Sequence, residues 1–222
     1  MGNVHPHAYV IMGVAGAGKT EIGAAFARAL GVAFVEGDAY HSEANVVRMA
    51  AGVPLTDDDR QGWLSEIASV LREAQQTSAG VVVSCSALKR RYRDMLRREA
   101  SAVRFIYLSG TPATLRARLA QRRGHFMPPS LLDSQLATLE PPTEDEGAWE
   151  CNIDDSPTTI VQELLMRVSA PQRSPGALPS TSPSASPSAS PSASPSASPS
   201  ASPSELADEL RDGLPGQARD ER

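Results

Sequence analysis

Eight consecutive residues, Gly13-Val14-Ala15-Gly16-Ala17-Gly18-Lys19-Thr20, satisfy every fixed position of the pattern G-x-x-x-x-G-K-[ST]. The chemistry this spacing suits is phosphate binding. Glycines let the chain turn tightly and carry backbone N–H groups close to phosphate oxygens. In this reading Lys19 reaches the β- and γ-phosphates of a bound nucleotide, and the Thr20 hydroxyl takes a place on Mg²⁺.

Other polar residues fall where they could serve the same reaction. Asp38 and His41 follow the apolar run Val32–Val35, and in an open parallel sheet ligands gather beyond the carboxyl ends of strands. Asp38 is therefore expected to face the loop, as the base for an attacking hydroxyl, as a partner for Mg²⁺, or as both. Arg60, Lys89 and Arg93 stand on three segments near strand ends, where they could contact a bound substrate. Arg118, Arg122 and His125 border Gly124 and Pro128. Arginines there suit a lid that closes over a triphosphate, because they donate to phosphate in bidentate fashion.

These residues need a scaffold, and the periodicity supplies one. Ala8–Met12, Val32–Glu36, Gly80–Cys85, Ala102–Leu108 and Ala148–Ile153 read as strands. Between them, Thr20–Leu30, Ser42–Ala51, a long helix capped by Thr56, Arg90–Glu99, Thr111–Arg123, Ser130–Leu139 and Thr158–Val168 read as helices. The alternation predicts an α/β fold, a five-stranded parallel sheet with helices on both faces and a lid. Two regions are expected: a globular phosphate-loop domain over residues 1–168, and a Ser/Pro/Ala-rich tail over 169–222. The tail repeats Ser-Pro-Ser-Ala and has too little apolar surface to offset chain entropy.

The balance of 21 basic against 26 acidic residues, net −5, does not suit a protein that lives on nucleic acid. The apolar run at Ala8–Val14 is too short to span a bilayer, and Cys85 and Cys151 stand in no metal-ligand spacing. A soluble cytoplasmic protein is the expectation.

Taken together, the loop and the blocks Gly37-Asp38-x-x-His41, Asn45-x-x-Arg48-Met49-x-x-Gly52-x-Pro54-Leu55-x-Asp57-x-Asp59-Arg60-x-x-Trp63-Leu64, Cys85-Ser86-Ala87-Leu88-Lys89-x-x-Tyr92-Arg93-Asp94, Gly124-His125-Phe126-Met127-Pro128 and Ser134-Gln135-x-x-x-Leu139-Glu140-x-Pro142 resemble the gluconokinase family of small phosphate-loop kinases. The resemblance covers about residues 8–168. It implies a shikimate-kinase-like fold, ATP-dependent phosphorylation of D-gluconate at its 6-hydroxyl, and a homodimer. It also favours Arg60 as the contact for the substrate carboxylate. Arg48 stands where the family usually has Lys, and strand three ends without the carboxylate that often partners Mg²⁺. Three other readings are weighed. A shikimate or nucleotide kinase would keep the chemistry and change the acceptor. A GTPase switch would want base-reading and D-x-x-G motifs that are missing. An RNA-binding module would rest on the arginines of 90–98 alone.

Overall fold

The computed structural model describes residues 8–121 and 129–170. The chain divides into two units, Met1–Pro175 and Gly176–Arg222, and all described residues lie in the first. In order the elements are β1 (Ala8–Met12), α1 (Lys19–Leu30), β2 (Ala33–Glu36), α2 (Glu43–Ala50), α3 (Asp57–Thr77) and β3 (Val81–Ser84), then α4 (Arg90–Glu99), β4 (Arg104–Ser109), α5 (Pro112–Gln121), α6 (Pro129–Thr138), β5 (Trp149–Asn152) and α7 (Pro157–Ser169). Short 3₁₀ turns at Gly37–Tyr40 and Glu144–Glu146 were not legible beforehand.

The strands form one parallel sheet in the order β2-β3-β1-β4-β5. β1 and β3 are central and buried along their whole length, which is why they read as unbroken apolar runs. Alternation across the pleat sends Val10 and Met12 to one face, with Trp63, Leu64, Ile67 and Leu71 of α3 and Leu96 of α4. Tyr9 and Ile11 go to the other, with Ile22 and Phe26 of α1, Leu132 of α6, and Ile160 and Leu164 of α7. The order reverses at β1, whose neighbours are β3 and β4, and ligands favour such a switch point.

Helix ends match their sequence signals. The Thr56 hydroxyl accepts from the Asp59 N–H at 3.2 Å, and the Asp59 carboxylate accepts from the Thr56 N–H at 2.7 Å, a capping box that starts α3. α1 differs: its N-cap is Gly18 in the left-handed region, with no side chain on its first N–H groups. Those donors remain for an anion.

The Gly37 backbone lies so close to β3 that a Cβ would fall on the Ser84 carbonyl oxygen. Gly62, inside α3, has open space around the same position. Gly37→Ala should therefore destabilise the protein by about 2 kcal/mol or more through overpacking, whereas Gly62→Ala should stabilise it by about 0.5–1 kcal/mol through helix propensity. Thermal melts of the two variants should move in opposite directions from the parent Tm.

Candidate active site

The phosphate loop leaves β1 at Gly13, whose φ of 140° belongs to glycine and whose missing Cβ would sit 2.9 Å from the Leu108 carbonyl oxygen. Its N–H donates to the Ser86 carbonyl at 3.3 Å, tying the loop to the segment after β3. Lys19 Nζ donates to the Val14 carbonyl at 3.1 Å, so the ammonium is folded over the loop. The Thr20 hydroxyl donates to Glu36 Oε2 at 2.6 Å, and the Ser84 hydroxyl donates to the other oxygen of that carboxylate.

The acid that meets Thr20 is thus Glu36, where sequence reasoning turned to Asp38. The signal lay in strand register. In parallel pairing Glu36 stands opposite Ser84, and Ser84 opposite Ile11, so the last residue of β2 is carried level with the start of the loop.

A cavity of about 480 Å³ opens beside the loop. Ala15, Gly16, Gly18, Lys19 and Thr20 of the loop line its wall together with Asp38, His41, Arg60 and Trp63. Asp38 rides on the 3₁₀ turn after β2, and the Trp63 indole N–H holds that turn by donating to the Gly37 carbonyl at 2.7 Å. His41 stacks on the Trp63 ring, centroids 4.2 Å apart and planes 17° from parallel. Burial pushes the His41 pKa down; nearby Asp38 pulls it up, Arg60 pushes it down again, and the net shift is downward. His41 therefore stays a neutral imidazole at neutral pH. Its Nδ1 is buried without a protein hydrogen bond. Arg60 donates to the Leu55 carbonyl and, at 3.2 Å, to that of Thr56, which steadies the guanidinium at the cavity wall.

Two of the expected acceptor contacts are not brought to this wall. Lys89 pairs with Asp57, its Nζ 2.8 and 3.1 Å from the two carboxylate oxygens, and Arg91 and the Tyr92 hydroxyl meet the same group. Arg93 is fully buried. Its Nε and one terminal nitrogen donate to Glu146 at 2.6 and 2.7 Å, and the other terminal nitrogen donates to the Ala87 and Leu88 carbonyls at 3.1 and 3.3 Å. With its donors engaged this way, Arg93 is a strut. It braces Ala87, a residue held at φ 42°, next to Ser86 and Leu88 at the cavity. A charged residue on a helix near a strand end gives no hint which way it turns; the missed partner, Glu146, sits 53 positions away.

Arg118 does come near the loop. It donates to the Ile153 carbonyl, and one terminal nitrogen lies 3.8 Å from where a Gly18 Cβ would be. Arg122 and His125 lie outside the described residues. Gln135 of α6, not singled out for a role by sequence, accepts from the Ala15 N–H at 2.7 Å and joins the cavity wall. Burial pushes the thiols of Cys85 and Cys151 up to about 12 and about 11, so neither is a nucleophile.

Burial opposes ionisation of Glu146, but the hydrogen bonds from Arg93 and Arg97 outweigh it and bring its pKa down to about 2. Because the folded value lies below the ordinary 4.5, this contribution to stability is complete above pH 4.5 and fades as pH falls towards about 2. Removing Arg93 leaves the buried Glu146 carboxylate with only Arg97 and the Thr143 N–H as partners. Arg93→Met should cost about 3–5 kcal/mol, and the double change Arg93→Met with Glu146→Leu should recover most of it. Urea titrations of the three proteins at neutral pH check this: a single variant as stable as the double would show that the pair is not a strut.

Comparison with known proteins agrees with this geometry. The family model described as shikimate kinase matches residues 15–163. The gluconokinase of Gluconobacter oxydans is 44% identical over 165 residues, covering 74% of this chain and 93% of that protein. The thermoresistant gluconokinase of Escherichia coli is 41% identical over 140 residues, covering 63% of this chain and 80% of the other. The crystal structure of a gluconokinase from Sinorhizobium meliloti superposes with a TM-score of 0.68 at 44% identity, covering 74% of this chain and 92% of that one. A shikimate kinase from Bacteroides thetaiotaomicron, at 22% identity and a TM-score of 0.53, shares the fold. With an empty-capped α1 behind a phosphate loop, and relatives this similar over nearly their whole length, the chain belongs to the gluconokinase family, built on the shikimate-kinase fold.

Proposed function

We propose that the chain transfers the γ-phosphoryl group of ATP to the 6-hydroxyl of D-gluconate, giving 6-phospho-D-gluconate and ADP. One observation carries this reading: a single cavity is lined by a phosphate loop together with a carboxylate, a guanidinium and a neutral imidazole. Phosphoryl transfer depends mainly on positioning and on stabilising charge. The loop N–H groups and Lys19 hold the phosphates, with Arg118 beside Gly18 and Arg122 as a further phosphate contact.

On the acceptor side, Arg60 matches the gluconate carboxylate, while His41 and Asp38 match its hydroxyls. The acceptor oxygen attacks the γ-phosphorus, the bond from that phosphorus to the bridging oxygen breaks, and the hydroxyl proton passes to Asp38. The Thr20 hydroxyl and the Glu36 carboxylate, 2.6 Å apart, are hard oxygen donors of the kind Mg²⁺ takes, since kinases hold it with one or two protein oxygens and complete its shell with phosphates. Bound there, Mg²⁺ would neutralise charge on the β- and γ-phosphates.

This reading divides two roles that sequence left together: Asp38 handles the proton, Glu36 the metal. The finer expectations of a homodimer and a cytoplasmic location belong to the same proposal. Among the described residues no helix is long and apolar enough to cross a membrane. Light scattering on the purified chain measures the assembly.

The decisive experiment is an ADP-release assay on a panel of sugar acids, shikimate and nucleoside monophosphates. D-Gluconate should give the highest kcat/KM and Lys19→Met should abolish it; faster turnover of shikimate or AMP would reverse the assignment.

Asp38→Asn should lower kcat by about 10²–10⁴, the usual worth of a general base, and added Mg²⁺ should not restore it. Glu36→Gln should instead raise the Mg²⁺ concentration needed for half-maximal rate. Rescue of Asp38→Asn by Mg²⁺ would exchange the two roles.

A further inference from the structure

The hydrogen bond between α6 and the phosphate loop has a consequence beyond the assignments above. Gln135 accepts from the Ala15 N–H at 2.7 Å, within a loop whose backbone donors are the means of holding phosphate. Ala15 is buried, and Gln135 and Ala15 both line the cavity shared with Asp38 and Arg60. The contact is therefore at the junction of the nucleotide and acceptor halves of the site.

The element that carries Gln135 is well anchored. Leu131 and Leu132 of α6 are buried, with Leu132 in the core against α1 and α7. Just past the helix, the Glu140 N–H donates to the Leu88 carbonyl at 2.9 Å, and the Glu140 carboxylate accepts from the Arg90 N–H at 2.7 Å. Leu88 is itself in the cavity wall and its carbonyl is also held by Arg93. A side chain on a helix fixed at both ends is positioned more sharply than one on a loop.

A carboxamide has two ends. With its oxygen committed to Ala15, Gln135 keeps two N–H donors, and among the described residues no protein group takes them. A donor held in place beside the loop suits the phosphoryl group in flight, whose negative charge is spread over three equatorial oxygens.

We propose that Gln135 is a catalytic residue of the transfer: its oxygen pins the Ala15 N–H of the phosphate loop, and its nitrogen donates to an oxygen of the migrating phosphoryl group. This rests on the kinase reading above but not on the identity of the acceptor. An alternative target for the same nitrogen is a hydroxyl of the sugar acid, and kinetics separate the two.

The test compares the full-length parent with Gln135→Glu and Gln135→Leu. Gln135→Glu keeps an oxygen for Ala15 but removes the donor; Gln135→Leu removes both. Hydrogen exchange of the peptide containing Ala15, measured without ligand, should be unchanged in Gln135→Glu and at least about fivefold faster in Gln135→Leu. With ATP and D-gluconate, kcat should fall about tenfold or more in both variants, while KM for gluconate stays within about twofold. Unchanged exchange in Gln135→Leu would remove the pinning role. A kcat within about twofold of the parent in Gln135→Glu, or a rise confined to KM for gluconate, would overturn the catalytic one. If the parent prefers another acceptor, the gluconate reading falls by itself, and the same kcat comparison made with that acceptor decides the role of Gln135.

Discussion

A guanidinium withdrawn completely from water must be compensated on every side, or the cost of desolvation would unfold the protein. Arg93 meets that demand with a carboxylate on one edge and two backbone carbonyls on the other. The geometry this forces spreads outward. Ala87 is held in a backbone region that side chains rarely adopt, Ser86 presents its carbonyl to Gly13, and Leu88 offers a second acceptor to Glu140. Through these links one buried ion pair sets where the phosphate loop begins and where α6 ends. The wall and the floor of the cavity share a single foundation.

The cavity built on it separates charges by task. Two carboxylates stand at the end of β2, two residues apart, yet they face different partners. Glu36 is drawn into the sheet edge by hydroxyls from Thr20 and Ser84. Asp38, one 3₁₀ turn later, lines the cavity with Arg60 and a neutral His41. Under the proposed mechanism the two acids serve different ends of one reaction without competing for the same cation.

The scaffold was highly legible because its signals are local. Apolar runs marked the strands, and Thr56 marked the start of α3. The phosphate loop was legible for the same reason, its eight residues being contiguous. The remaining site residues depend on pairings between distant segments. Glu36 looked like an ordinary strand residue until register put it opposite Ser84. Arg93 looked like a ligand contact because it stands on a segment near a strand end; its partner Glu146 comes from a short turn with no periodic signature. Gln135 carries no charge to draw attention and acts on a backbone N–H 120 positions away.

The stacked pair of His41 and Trp63 has an optical consequence. The chain has two tryptophans. Trp149 lies in edge strand β5 beneath Arg104 and 6.2 Å from Tyr9, away from the cavity. Trp63 lies in the cavity wall, its indole nitrogen fixed to Gly37 and its face covered by an imidazole. Any ligand that seats against His41 must alter the electronic surroundings of that indole. The fold thus contains an intrinsic fluorophore in the cavity wall and a second one outside it as internal reference, so that occupancy can be followed by emission without a label.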